Sequence, residues 1–160
     1  MLPVGSEEKI LLIEQIFPTH AFAANMYSHP GLLWDEMCKI SSNVISIEIP
    51  YFPGQIDMDR IRRRIDEADT VVMTNYYYHK GASSITDFVR EVMAMGKKVI
   101  VVTNTPYEFG LPADFPTGII CFNPGGREHM QAVAEVIYGK LKPTAELSFE
   151  ITADSLTETQ

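Results

Sequence analysis

Apolar positions along the chain gather in short runs, separated by longer stretches whose apolar residues recur at helical spacing. The runs are residues 9–14 (KILLIE), 44–49 (VISIEI), 70–74 (TVVMT), 98–103 (KVIVVT) and 118–122 (GIICF). Each is short and rich in β-branched residues, the pattern of strands covered on both faces. Between them, residues 29–40 place Leu32, Leu33, Met37 and Ile40 on one stripe, and residues 57–68 do the same with Met58, Ile61 and Ile65. Residues 84–95 open with Ser84 three positions before Asp87, a capping-box-like start, and close at Gly96 as a helix C-terminus does. Residues 126–141 turn Met130, Val133, Ala134, Ile137 and Leu141 inward, and Gly139 and Pro143 mark the end of that helix.

Such alternation requires crossover connections, so the strands run parallel, the crossovers are right-handed and helices cover both faces. The prediction is an α/β, flavodoxin-like three-layer sandwich with strand order 2-1-3-4-5. Residues 145–151 (AELSFEI) alternate cleanly and offer an edge strand, giving a mostly parallel sheet of five to six strands. Residues 1–151 then form one domain, as a chain of 160 residues allows, and the polar stretch 152–160 is expected to fray.

Charge narrows the partners. A net charge of −8 disfavours nucleic acid and anionic membrane surfaces, both of which need a basic face. No apolar run approaches the ~18 residues of a membrane span, and no basic segment followed by an apolar one opens the chain. Cys38 and Cys121 show no metal-site spacing, read as small apolar core residues, and fit reducing, cytoplasmic surroundings.

Ligands of open parallel sheets bind beyond the carboxyl ends of the strands. Here those ends carry amides, phenols and histidines: His20 after the first strand; Asn75, Tyr76 and His79 after the third; Asn104 and Tyr107 after the fourth. No cofactor is expected from this rim. The stretch after the first strand has no glycine before Gly31, so a flavodoxin phosphate loop is missing. Glu14 could serve a receiver-type magnesium site, but the third strand ends in Thr74 and Asn75 without the second carboxylate. Neither a nucleophile elbow nor a dinucleotide fingerprint occurs. The four histidines lack metal-ligand spacing, so no metal is expected, although His20 and His79 follow adjacent strands and could face one another. The run Tyr76, Tyr77, Tyr78 suits stacking on a sugar ring and an interface equally.

The last third carries a more specific signal. The fourth strand runs into Asn104-Thr105-Pro106-Tyr107-Glu108-Phe109, residues 132–139 read AVAEVIYG, and residues 142–151 read KPTAELSFEI. These features, in this order, resemble the C-terminal domain of family 3 glycoside hydrolases, where an N-P-Y-D-type turn, a helix ending like A-x-V-L-F-G and an exit P-T/S-G-K-L-P-V follow one another. Thr105 intervenes between Asn104 and Pro106, while Ala145, Glu146 and Ser148 replace the usual glycine, lysine and second proline. Leu2-Pro3 and the strand 10–13 also look like the start of that domain, so the likeness spans nearly the whole chain while its motifs cover the last third.

The resemblance implies a division of labour. In that family the nucleophile lies on a preceding TIM-type barrel of about 250 residues, too large for this chain. The β-N-acetylglucosaminidase branch also keeps its Asp-His acid/base pair there. The β-glucosidase branch lends a Glu from a loop near the third strand, but residues 75–84 contain no carboxylate. The chain is therefore closer to the β-N-acetylhexosaminidase-like branch, with no catalytic residue of its own and with the barrel as partner. Carbohydrate contacts are expected from His20, Asn75, Tyr76, His79, Asn104 and Tyr107. The alternative is a stand-alone small-molecule binding or protein-interaction module on the same sheet, and a small enzyme using His20 and His79 is a third reading.

Overall fold

The structure is a computed structural model and describes residues 2–16, 31–76, 85–105, 115, 117–122 and 125–145. Along the chain follow β1 (Ile10–Ile16), α1 (Leu32–Cys38), β2 (Val44–Pro50), α2 (Gln55–Arg64) with a 3₁₀ turn (Ile65–Glu67), β3 (Thr70–Thr74), α3 (Thr86–Ala94), β4 (Lys98–Thr103), β5 (Gly118–Ile120) and α4 (Arg127–Ile137). The strands form one sheet in the order β2-β1-β3-β4-β5, every described pair parallel. The α/β, flavodoxin-like expectation and its strand order are borne out.

Alternate residues of the central strands feed two cores. Leu12, Val72, Ile100 and Val102 point to one side and pack with Leu33 and Met37 of α1 and with Met130 and Ile137 of α4. Leu11, Ile13, Val71, Met73, Val99 and Val101 point to the other and pack with Ile61 of α2 and Val89 and Val92 of α3. Strands wetted on one face would alternate with polar residues; these have helices on both faces and none of that alternation.

Several boundaries differ from the sequence reading, each for a local reason. β1 continues two residues past Glu14, because pairing with β2 extends through Gln15↔Ile49 and Ile16↔Pro50. α1 begins at Leu32, after Gly31 in the left-handed region at φ 72°. Cys38 ends that helix on its exposed side and is not a core residue, whereas Cys121 is buried. α3 receives no side-chain cap from Ile85, while α2 has Gly54 N–H donating to Asp57 Oδ2 at 2.9 Å. β5 stops at Ile120, and Phe122 is exposed.

Helix α4 ends as a Schellman motif. Lys140 N–H donates to Glu135 O at 2.7 Å and Gly139 N–H to Val136 O at 3.1 Å, around Gly139 at φ 70°. The turn puts Leu141 in solvent instead of on the inward stripe. Ser84 and residues 146–160, with the polar tail and all of the sixth segment but Ala145, lie outside the described residues. Among the described residues no helix is long and apolar enough to cross a membrane.

Candidate functional site

The carboxyl ends of β1, β3 and β4 converge as the topology requires, and their polar side chains are closed into a network. Gln15 is its hub: its backbone N–H donates to Thr74 Oγ1 at 2.7 Å, its side-chain amide donates to Tyr51 O at 3.3 Å, and its Oε1 accepts Tyr76 N–H at 2.7 Å. One glutamine thus ties the ends of β2, β1 and β3 together. Asn75 N–H continues the ladder onto Val102 O at 2.8 Å, and Asn75 Nδ2 donates to Thr86 Oγ1 at 3.2 Å at the start of α3. At the end of β4, Thr103 Oγ1 accepts Thr105 N–H at 3.3 Å.

Glu14 is the charged exception. It is 5% exposed, its Oε1 accepts Leu33 N–H at 3.0 Å at the start of α1, and its Oε2 has no hydrogen-bond partner. Burial raises its pKa to about 7 against the opposing hydrogen bonds from α1, and the negative charges of Glu48 and Asp35 add to the rise. Tyr76, buried with its hydroxyl against Met130 Sδ at 3.8 Å, is raised well above the usual phenol range, first by burial and then by Glu14. On the α1–α4 side, Arg127 donates to the buried Glu36 at 2.6 Å and lies 3.6 Å from Asp35.

Of the sequence-derived candidates, Asn75 and Tyr76 sit side by side at the end of β3, 1% and 2% exposed, and Asn104 follows β4 half-buried. His20, His79 and Tyr107 lie outside the described residues. Two features escaped sequence reading. Glu14, read as the last residue of the first strand, and Gln15, read as the first residue beyond it, are both buried strand residues, paired with Glu48 and Ile49. Where β1 and β2 end, a hollow of about 680 Å³ opens among Ile16, Pro50 and Phe52, with Glu48, Asp57 and Arg60 at its margin. Phe52 is largely exposed and meets Tyr51 edge-to-face at 4.8 Å.

Among the described residues, these hydrogen bonds hold the strand ends to one another. Glycoside hydrolysis needs two carboxyl groups with access to the scissile bond. Glu14 is enclosed and hydrogen-bonded to a helix start. Among the described residues no cluster of three His, Cys, Asp or Glu side chains is arranged to hold a metal ion.

No family model and no curated protein matches the chain. Solved structures do share its fold. A glycoside hydrolase family 3 β-N-acetylglucosaminidase from Paenibacillus sp. str. FPU-7 superposes with a TM-score of 0.75 at 13% identity, over 89% of this chain and 27% of that one. A fungal multi-domain GH3 β-N-acetylglucosaminidase, described as having a GCN5-related glucosamine N-acetyltransferase region, superposes at 0.67 and 15% identity, over 95% of this chain and 16% of that one. The chain therefore spans only a minor part of the length of either neighbour.

Proposed function

We propose that this chain is a C-terminal accessory domain of a family 3, β-N-acetylhexosaminidase-like glycoside hydrolase, packing on a separate catalytic TIM barrel. The observation that carries the reading is coverage: 89% of the chain superposes on 27% of a family 3 β-N-acetylglucosaminidase. The ordered motifs from Asn104 through Gly139 to Pro143 point the same way, although 13% identity alone speaks for the fold. The use of the buried Glu14 carboxylate as an acceptor for the start of α1 fits a supporting role for this end of the sheet.

In this role the strand-end rim walls the sugar site of the barrel. Asn104 keeps part of its surface open and is favoured as a sugar contact, together with His20, His79 and Tyr107. Asn75 and Tyr76, both buried, support the rim from beneath. The test is turnover of an aryl N-acetyl-β-glucosaminide by the chain alone, and sedimentation of the chain mixed with a family 3 barrel from the same genome. No turnover alone and a one-to-one complex are expected. Turnover at ordinary enzyme rates, or failure to associate with any such barrel, overturns the reading. The alternative, a stand-alone binding or interaction module, is favoured by the hollow beside Phe52.

A further inference from the structure

Strand β2 ends the described sheet, pairing with β1 on one side only. Its register fixes which backbone groups face outward. Ile10 N–H donates to Asn43 O at 2.9 Å opposite the pair Ile10↔Val44, so the odd-numbered residues of β2 bond β1. In a parallel ladder successive residues direct their N–H and C=O to opposite sides. Ser46 and Glu48 therefore present their backbone groups to the open edge.

Two hollows lie along that edge. One, of about 340 Å³, is bordered by Ser46, Ile47, Arg60, Arg63 and Arg64; the other is the 680 Å³ hollow bordered by Glu48, Pro50 and Phe52, and Arg60 borders both. The first is basic in a chain of net charge −8. Among the described residues Arg60 and Arg64 make only local pairs, with Asp57 on α2 at 3.7 Å and with Glu67 of the following 3₁₀ turn at 2.8 Å, and Arg63 makes no ion pair. Exposed pairs of this kind yield readily to a competing carboxylate. A second copy joined antiparallel through β2 would set both arginine clusters on one side of the joined sheet, where they repel. An acidic strand meets no such penalty.

We propose that the β2 edge is a docking strip for an extended acidic peptide segment of a partner protein. The segment adds as a strand beside Ser46 and Glu48, sets carboxylates against Arg60, Arg63 and Arg64, and lays one large apolar side chain into the hollow beside Phe52. Side chains two apart on a strand share a face, so the recognised pattern is two acidic residues and one aromatic residue at alternate positions. The inference is independent of the accessory-domain reading, since it needs only the edge and α2.

The experiment uses the 160-residue chain and fluorescein-labelled heptapeptides TETETFT and TFTETET, followed by anisotropy at low ionic strength. Saturable binding of at least one is expected, weakened about tenfold when lysine replaces glutamate or in the triple variant R60E/R63E/R64E. Glu48→Pro removes an outward N–H at an edge that tolerates proline, and should weaken binding about fivefold even though it deletes a negative charge. Peptides N-methylated at alternate positions test the same pairing without altering the protein. Absence of saturable binding overturns the proposal. So does unchanged binding of the N-methylated peptides and of folded Glu48→Pro, or a dimer that Glu48→Pro dissociates.

Discussion

At the scale of single residues, two positions make measurable demands. Gly139 combines a left-handed backbone with contact: a Cβ there would lie 2.6 Å from Pro3 Cβ, whereas at Gly96, φ 78°, an added Cβ meets nothing within 4 Å. Gly96→Ala should therefore cost only the backbone strain, about 1 kcal/mol, and Gly139→Ala should cost about 1 kcal/mol more through Pro3, as read by urea denaturation. Equal losses would mean that Pro3 moves aside freely. Glu14 makes a pH-dependent prediction. Its carboxyl titrates near 7 in the folded chain against an ordinary 4.5, so the folded state holds a proton that the unfolded state has released between those values. The contribution is complete below about 4.5 and is lost as pH rises through about 7, at a cost of about 3 kcal/mol. Glu14→Gln keeps an acceptor for Leu33 N–H without the charge, so its stability relative to the parent should rise from pH 5 to pH 8 in thermal melts. Parallel profiles would refute this. Neither position was equally legible in sequence: Gly139 followed by Pro143 announces a helix end, while nothing in the letters says that Glu14 is buried. That follows from a strand end meeting a helix start from residues 32–34.

At the scale of elements, the strands and helices were readable because apolar periodicity differs between them, and their ends were not, because ends depend on partners. The first strand looked finished at its first acidic residue, yet β2 continues opposite it and carries Glu14 and Gln15 into burial. The first helix looked longer by its stripe, but Gly31 in the left-handed region sets its start. Interactions between helices were likewise invisible. Arg62 of α2 reaches α3, donating from Nε to Glu91 Oε1 at 2.7 Å and from Nη2 to Oε2 at 2.9 Å, with its guanidinium 5.5 Å from the Phe88 ring centre. It also holds Asp59 on its own helix at 2.7 Å. Lysine cannot reproduce the planar fork or the stacking. Arg62→Lys should lower the melting temperature, and the difference should shrink as salt is added, because the pair is partly exposed. A difference indifferent to salt would assign the role to packing over Phe88 instead.

At the scale of the whole molecule, the strand order was the most legible feature, since strand–helix alternation with right-handed crossovers leaves few arrangements. The site was the least, since its hollows arise where separate elements stop. What the topology adds is a mechanical link: one sheet feeds two cores, and neighbouring residues on β4 belong to different ones, Ile100 to the α1–α4 side and Val101 to the α2–α3 side. The single tryptophan, Trp34, stands on α1 and so reports the first side, whereas far-ultraviolet circular dichroism reports all elements. Val101→Ala removes buried methyl groups from the far core at about 2 kcal/mol, equivalent to a fall of roughly 4 to 8 °C in Tm for a chain of this size. If the described sheet binds both layers into one cooperative unit, the Trp34 fluorescence transition should move down with the circular dichroism transition, by the same amount. A Trp34 transition left in place while ellipticity falls early would instead show that the layers unfold separately. Parallel strands with both faces covered have no way to lose one layer and keep the other from water, which is why the coincident shift is expected.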